Sequence, residues 1–455
     1  MQASRILGRS RLSAFSSSSS SSARRRPERA QFKFSFATMD PPCTSSNLGR
    51  LDDRVRAVIE RIHVSPTQLA MVVTGGAVHA PTWLLSVPGA SRTVLDVRIP
   101  YSHESLAALI RGSLLSGGNG QRKTLPEKSV SRAMAEAMAD AAFREATNLS
   151  PFGTPVLGVG VTCALATDRD RRGEDQAFIC TKDSSGTVTV RQHGFEKGVG
   201  ALSRTEQDTL ASAIVVDEIA RCVDRGIQDE HTREAIRMEA IRKLLDGSVQ
   251  TVEFSGGHVF LDAPRRDRIY LPGSFNPLHD GHTEMLEAAK HQGNDRREAA
   301  FELSVQNADK GLLDASEIAR RVAQFTRGPR SSPVVLTRAP LFTTKAGLFP
   351  GSCFVVGYDT AIRLVQQRYY GDSASEMVRE FSTLVQRGCS FLVAGRVDKD
   401  TGAYMSLNDI SIPDPLAGMQ LFVGMSEAAF RKDISSTELR ELRELREPRE
   451  RGRGE

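Results

Sequence analysis

Residues 273–282 read Gly-Ser-Phe-Asn-Pro-Leu-His-Asp-Gly-His, and they carry the main evidence on the fold of the C-terminal half. It follows the apolar run Ile269–Leu271 and precedes an apolar-periodic segment that includes Met285. A strand, a tight loop and a helix start in this order gather backbone N–H groups around a phosphate. The glycine between His279 and His282 allows a sharp turn, and the proline stiffens the loop. Both imidazoles are therefore predicted to face one pocket.

Two histidines at this spacing have several possible uses. They can form a metal pair, act as a general base, donate to phosphate, or lie in an ordinary loop. A metal site is disfavoured, because the spacing is i, i+3 in a turn. In addition, no Cys or carboxylate cluster is near in sequence to complete a tetrahedral site. We predict no metal ligands in this stretch.

The whole pattern resembles the signature of the nucleotidylyltransferase superfamily, which is His-x-Gly-His after a Gly-x-Phe-Asn/Asp turn. The resemblance implies catalytic roles for His279 and His282. It also implies nucleotide-binding roles for the preceding turn, Gly273, Ser274, Phe275 and Asn276.

A second stretch, Ile434-Ser-Ser-Thr-x-x-Arg440, has two compatible interpretations. By itself it is a capping box, with Ser435 at the N-cap and Glu438 three residues later. It also resembles the second phosphate-binding motif of the same superfamily, since a helix N-terminus with hydroxyls and one Arg is an anion site. That resemblance implies a catalytic Arg440 and nucleotide-binding Ser435, Ser436 and Thr437.

Individual residues of the turn and of the later strands indicate which branch of the superfamily the chain resembles. Phe-Asn-Pro in the turn resembles the adenylyltransferases that make dinucleotide cofactors, whereas lipid cytidylyltransferases usually have Phe-Asp without this proline. The pyridine-nucleotide branch also implies nucleotide contacts from Lys310, Gly357 and Asp359, although each can be an ordinary strand exit. Animal-type members stack their substrate on tryptophan, and this half has none. The replacements that we considered are Tyr358, Tyr369 and Tyr370.

The resemblance implies that AMP passes from ATP to nicotinamide mononucleotide, giving NAD and pyrophosphate. Mg²⁺ is expected to arrive with the nucleotide, because no acidic cage is visible in the sequence. The attacking phosphate is already an anion, so catalysis needs positioning and charge stabilisation and no general base. The alternatives are transfer to another phosphate acceptor, such as phosphopantetheine or a phosphosugar, and a scaffold that binds ATP or NAD without turnover.

The N-terminal half carries a fainter pattern. An apolar strand from Gln68 to Val73 runs into Thr74-Gly75-Gly76, and a Gly/Val-rich strand covers 156–163. Their order resembles the nicotinamide-nucleotide amidase family (competence-damage protein) over residues 51–225. In that family the strand ends Glu-Ser-Cys-Thr-Gly-Gly with a catalytic serine, but valine stands there in this chain. Because valine is no nucleophile, we expect a non-hydrolytic domain that serves dimerisation or holds a nucleotide.

Composition limits the functional classes. Residues 1–38 hold seven Arg, one Lys and one Glu, a net charge of +7, so the rest of the chain carries 5 − 7 = −2. A basic nucleic-acid-binding domain is therefore not indicated. No apolar run is long enough to span a membrane. The six cysteines lack zinc or C-x-x-C spacing: Cys43, Cys163, Cys180, Cys222, Cys353 and Cys389. The Arg/Ser-rich leader resembles a mitochondrial or chloroplast transit peptide. Its alternative is an uncleaved basic extension, and Met39 offers a start for a cytosolic form.

We therefore predict an α/β protein with two domains, the C-terminal one a doubly wound parallel sheet of the Rossmann-like nucleotidylyltransferase type. Its strands are expected near 268–273, 299–306, 333–337, 353–357, 390–395 and 419–423. The predicted organisation is a leader (1–50), an amidase-like domain (51–225), a linker helix and connection (226–267), the nucleotidylyltransferase domain (268–447) and a disordered tail (448–455). A homo-oligomer formed through the amidase-like domain is possible on this interpretation.

Overall fold

The computed structural model describes residues 51–115, 125–168, 171–224, 230–292, 297–307, 311–326, 331–398 and 401–431. The predicted leader, the tail, Lys310 and the second motif (Ser435, Ser436, Thr437, Arg440) lie outside the described residues. The described residues all belong to one compact unit, Arg50–Glu455. None of the described helices is both long and apolar enough to cross a membrane.

The N-terminal half is built on a five-stranded mixed sheet of order β2-β1-β3-β4-β5. Strands β1, β2 and β3 are parallel, and β4 and β5 continue the sheet in antiparallel pairing. The strands are β1 (Gln68–Thr74), β2 (Val94–Arg98), β3 (Val156–Ala164), β4 (Asp175–Asp183) and β5 (Val188–Phe195). The helices are α1 (Asp53–Val64), α2 (His79–Ser86), α3 (Ala90–Thr93), α4 (His103–Leu115), α5 (Arg132–Leu149) and α6 (Arg204–Asp224).

Close packing of α5 on β3 explains the glycine-rich sequence of that strand. A Cβ on Gly158 would lie 2.3 Å from the Ala139 carbonyl oxygen, and one on Gly160 would lie 2.3 Å from that of Ala135. Backbone contacts this short leave no room for any side chain. The glycines of β3 therefore allow the helix to lie directly on the strand.

The C-terminal half contains an eight-stranded sheet of order β17-β14-β13-β8-β9-β12-β6-β7. Its large-sheet strands are β6 (Thr251–Ser255), β7 (His258–Leu261), β8 (Ile269–Pro272), β9 (Ala299–Ser304), β12 (Val334–Thr337), β13 (Cys353–Gly357), β14 (Ser390–Ala394) and β17 (Phe422–Gly424). Two small ribbons are formed by β10 (Gln306–Asn307) with β11 (Gly311–Leu312), and by β15 (Arg396–Val397) with β16 (Tyr404–Met405).

The parallel part of this sheet has the dinucleotide-binding strand order. Taken in chain order, β8, β9 and β12 run outward in one direction and β13, β14 and β17 in the other. The order reverses between β8 and β13, which makes their carboxyl ends the topological switch point. The predicted doubly wound sheet is confirmed.

Helices cover both faces of the sheet. One face packs against α7 (Glu230–Leu245), α8 (Asp280–His291) and α9 (Ala315–Thr326). The other packs against α10 (Phe342–Leu348), α11 (Tyr358–Leu364), α12 (Ala374–Gln386) and α13 (Asp414–Ala417). Two 3₁₀ helices span Gln367–Tyr370 and Leu407–Asp409.

The predicted connection between the halves differs from the structure. Residues 251–261 form the β6–β7 hairpin, which pairs antiparallel with β12 and extends the large sheet. Gly256 and Gly257, which lie within the predicted connection, are the two central residues of the hairpin turn, at φ 56° and 79°. Two successive positive φ angles are typical of the tight turns that glycine favours in hairpins.

A buried arginine joins the two halves. The Arg265 guanidinium binds the Glu253 carboxylate on β6, with Nε 2.8 Å from Oε2, and both side chains are almost fully buried. Its Nη1 donates to the carbonyl oxygens of Thr147 (2.6 Å) and Ser150 (2.8 Å) at the end of α5. One side chain, four residues before β8 begins, therefore links the last turn of α5 to the hairpin.

Candidate active site

The decapeptide lies at the switch point of the large sheet. Strand β8 ends at Pro272, the turn follows, and α8 begins at Asp280 with His279 as its N-cap residue. This position brings a helix N-terminus to the carboxyl edge of the parallel strands, where ligands bind in such folds.

The two histidines lie against each other. Their ring centroids are 3.7 Å apart and the rings are inclined by only 27°. The His279 backbone N–H donates to Nδ1 of His282 across 3.4 Å, and the His282 N–H donates to the His279 carbonyl oxygen across 2.9 Å. The predicted juxtaposition of the two imidazoles is present in the structure.

Burial keeps His282 uncharged. Desolvation lowers the pKa of His282 to about 4, with a smaller contribution from the neighbouring His279. At neutral pH the ring therefore carries one proton. Because Nδ1 accepts from the backbone, we assign that proton to Nε2, which leaves a single N–H donor for a ligand.

Phe275 supports the pair from within the core. Its ring is 1 % exposed and meets His282 edge-on, with centroids 5.1 Å apart. It also contacts Phe301 (5.3 Å) and Phe325 (5.2 Å) edge-on. The Phe275 ring therefore supports the turn from within the core, and the predicted nucleotide-binding role of this residue stays a prediction. A Cβ on Gly273 would lie 2.7 Å from the same ring, which explains that glycine.

Helix α9 holds the turn by four hydrogen bonds that the sequence did not reveal. Arg321 Nη1 donates to the Ser274 carbonyl oxygen (3.0 Å) and Arg320 Nη2 to the Asn276 Oδ1 (2.7 Å). Gln324 Nε2 donates to the Phe275 carbonyl oxygen (2.9 Å), and Gln324 Oε1 accepts from the Leu278 N–H (2.9 Å). No local pattern marks these side chains, since they follow the loop by more than forty residues and act only after folding.

Glu317 organises the two arginines of α9. Its carboxylate accepts from Arg320 Nε and from Arg321 Nε, both at 2.7 Å. The bond from Arg320 is the main cause that lowers the pKa of Glu317 to about 2. The carboxylate stays ionised over the whole working range of pH and fixes both guanidiniums toward the turn.

The switch point lies between β8 and β13, and the loop that follows β13 lies on its other side. Gly357 is the N-cap residue of α11, and the exposed Asp359 carboxylate pairs with Arg396 on β15. Their predicted nucleotide contacts stay predictions, as do those of Lys310, Arg440 and the hydroxyls beside it.

The three tyrosines considered as stacking platforms differ in environment. The Tyr370 hydroxyl donates to the Leu364 carbonyl oxygen (2.9 Å), and its ring lies 6.1 Å from that of Phe381, so it belongs to the core. Burial raises the pKa of Tyr370 to about 12. Tyr369 is 54 % exposed, and Tyr358 is half-buried in the first turn of α11.

In the N-terminal half, Val72 stands in an apolar environment. It is 2 % exposed and packs in one cluster with Leu106, Met134 and Met138. The Gly75 backbone lies so close to β3 that a Cβ would be 2.0 Å from the Cys163 carbonyl oxygen. Burial raises the pKa of Cys163 to about 12, so this thiol stays protonated.

A cavity of about 350 Å³ lies between α4 and α5 over β1 and β2. Its charged lining is already paired: Arg98 binds Asp96 (2.6 Å) and Glu145 (2.9 Å), and Arg266 binds Glu145 (3.3 Å). Among the described residues, no group of three or more His, Cys, Asp or Glu side chains could hold a metal ion.

Fold and site together define a nucleotide-binding α/β domain of Rossmann-like type in the C-terminal half. Residues 270–442 match the family model described as cytidylyltransferase-like, which confirms the resemblance read from the two motifs. This match supports a nucleotidyltransferase activity for the C-terminal half in general terms.

Solved structures of competence-damage proteins are similar to part of the chain. A competence/damage-inducible protein of Agrobacterium tumefaciens is 17% identical, with 39% of this chain and 99% of that one covered at a TM-score of 0.30. A competence-damaged superfamily protein of Escherichia coli is 12% identical, with 38% and 94% covered at 0.29. One of Klebsiella pneumoniae is 8% identical, with 39% and 99% covered at 0.30. No curated protein matches the chain.

Proposed function

We propose that this protein transfers AMP from ATP to nicotinamide mononucleotide, giving NAD and pyrophosphate. The observation that carries the proposal is the stacked His279–His282 pair at the N-terminus of α8, at the switch point of a parallel sheet. The cytidylyltransferase-like match supports the reaction class. The choice of acceptor rests on the Phe-Asn-Pro turn and on the resemblance to the pyridine-nucleotide branch.

In this reaction a phosphate oxygen of the acceptor attacks the α-phosphorus of ATP. A new P–O bond forms as the bond from the α-phosphorus to the pyrophosphate oxygen breaks, and pyrophosphate leaves with that electron pair. The nucleophile is an anion already, so no proton has to be removed. The protein contributes alignment of the two phosphates and hydrogen bonds to charge that builds in the transition state.

His282 suits this role because it is a neutral donor. A buried imidazole with its proton on Nε2 donates one hydrogen bond without the cost of burying a cation. His279, at the N-cap, would donate beside it, and the N-terminus of α8 would add its backbone dipole. Ser436, Thr437 and Arg440 would hold the departing β- and γ-phosphates, as the second motif implies.

Mg²⁺ would enter with ATP as part of the substrate and shield the charge of the triphosphate. The N-terminal half would have no hydrolytic activity, because Val72 replaces the family serine inside an apolar cluster. We propose that it serves dimerisation or holds a nucleotide. The Arg/Ser-rich leader is proposed to direct the chain to a mitochondrion or chloroplast.

The test is pyrophosphate release by protein lacking residues 1–38, with Mg²⁺ and either ATP or CTP. The acceptor panel contains nicotinamide mononucleotide, its acid form, phosphopantetheine and several phosphosugars. We expect turnover with ATP and nicotinamide mononucleotide, and a loss of about 10²–10³-fold in His282→Ala. Turnover with a different acceptor would replace the substrate assignment. Measurable ATP binding without turnover for any acceptor would favour a nucleotide-sensing scaffold.

A further inference from the structure

A single glutamine side chain spans the turn that carries the histidine pair. The Gln324 carboxamide donates from Nε2 to the Phe275 carbonyl oxygen (2.9 Å) and accepts at Oε1 from the Leu278 N–H (2.9 Å). The two backbone groups lie on either side of Asn276-Pro277. The Gln324 side chain therefore bridges the two ends of this turn by hydrogen bonds to its backbone.

Glutamine is the side chain that this position requires. The Phe275 C=O and the Leu278 N–H belong to neither β8 nor α8, and each needs a partner. A carboxamide supplies one acceptor and one kind of donor in a fixed planar geometry. Glutamate would keep the bond from Leu278 and lose the bond to Phe275, and leucine would lose both.

The helix that bears Gln324 is itself held in place. Ile318, Val322 and Phe325 on α9 are buried in the core, and the Phe325 ring meets Phe275 edge-on. Arg320 and Arg321 bind the same turn one helical turn earlier. The turn is therefore held by hydrogen bonds to a helix whose own position is fixed by core packing.

We propose that Gln324 is a positioning residue that fixes the turn so that His279 and His282 form a ready-made pair of phosphate donors. Its kinetic part rests on the proposed function, whereas its structural part concerns only the histidine pair. Side chains that orient metal ligands typically contribute 10–100-fold to affinity or activity, and we expect a similar factor where the oriented groups are phosphate donors. Displacement of a positioned group by about 1 Å has a comparable effect.

The experiment compares Gln324→Leu and Gln324→Glu with a matched control in the other half. Gln207 on α6 is an equally bridging glutamine: Oε1 accepts from the Ala166 N–H (2.7 Å) and Nε2 donates to Asp175 Oδ2 (3.3 Å). Gln207→Leu removes the same kind of bridge far from the turn in sequence. Each variant is made in the protein lacking residues 1–38 and assayed for kcat and for the KM of ATP. The imidazole signals of His282 are titrated by ¹H–¹⁵N NMR without nucleotide.

We expect Gln324→Leu to lower kcat by about 10–100-fold, with a change in the KM of ATP of less than about threefold. The titration midpoint of His282 should rise from about 4, because a loosened turn admits water to the ring. Gln324→Glu should lie between wild type and Gln324→Leu, and Gln207→Leu should change neither quantity.

An unchanged His282 titration in Gln324→Leu would overturn the proposal, as would an equal loss of kcat in Gln207→Leu. If the wild type turns over no acceptor, the proposed reaction fails on its own. The titration then still decides whether Gln324 positions the histidines.

Discussion

Replacement of Arg265 by methionine tests the junction between the two halves. The guanidinium is fully buried, and it pairs with a Glu253 carboxylate whose side chain is only 2% exposed. Removal of one partner of a buried ion pair leaves an uncompensated charge and costs about 3–5 kcal/mol. The variant also removes the hydrogen bonds that Arg265 donates to the Thr147 and Ser150 carbonyl oxygens. We expect the free energy of unfolding to fall by at least about 3 kcal/mol.

Urea unfolding followed by two probes measures this loss. The chain has one tryptophan, Trp83, which lies in the N-terminal half, so its fluorescence reports that half alone. Far-UV circular dichroism reports both halves. With a slope of about 2–3 kcal/mol/M, the midpoint should fall by about 1–2 M. The two probes should also separate in the variant, because the bond between the last turn of α5 and the hairpin is gone.

The double variant Glu253→Gln/Arg265→Met is the control for charge. Because no carboxylate is then left unpaired, it should recover part of the loss. With Glu253→Gln measured as well, the double-mutant cycle gives the coupling of the pair. A loss below about 1 kcal/mol in Arg265→Met, which is usual for exposed pairs, would show that the buried pair contributes little. A double variant less stable than Arg265→Met would contradict the expected cost of the unpaired carboxylate.

Three further predictions follow from individual contacts. Gly160→Ala should destabilise the protein by about 1–3 kcal/mol in thermal unfolding, because α5 leaves no room for a Cβ; Gly194→Ala, where nothing lies within 4 Å, is the control and should change little. His282 has a folded pKa of about 4 against 6.5 for the free side chain, so the unfolded chain binds the extra proton between these values. Neutral His282 therefore contributes up to about 3 kcal/mol to the free energy of unfolding above pH 6.5, and this contribution is lost as the pH falls toward 4. The free energy of unfolding of His282→Asn should lack this part of the pH dependence. Cys163 and Cys180, with pKa values raised to about 12 by burial, should resist a thiol reagent at pH 8 until the protein is unfolded, as peptide mass spectrometry would show; labelling of either in the folded protein would contradict this.

The parallel strands could be predicted because each is a short, continuously apolar run ended by a breaker. Such runs are typical of strands buried on both faces, and β9, β12 and β13 lie where the pattern put them. The β6–β7 hairpin was missed for a physical reason. Its first strand contains Glu253, which looks exposed in the sequence, and only folding supplies the Arg265 that compensates its burial.

The candidate site also contains residues that the sequence indicates and residues that only folding brings together. His279 and His282 were found because their chemistry is concentrated in ten contiguous residues. The contribution of α9 was not found, since Arg320, Arg321 and Gln324 look like any polar helix face. The sequence also could not tell that the Phe275 ring points into the core, because a turn motif fixes residue types and leaves side-chain direction to packing.

The β6–β7 hairpin has a practical consequence for dissecting the gene. A fragment that starts at residue 268, where the motif region begins, would contain every parallel strand and yet leave β12 as a bare edge. Unpaired strand edges recruit other chains and lead to aggregation. A fragment that starts at α7 keeps the hairpin as a cap on that edge, although Arg265 would then lose its backbone partners at the end of α5. The start of the shortest soluble fragment of the C-terminal half is therefore determined by the need to cover β12 and not by the position of the first motif residue.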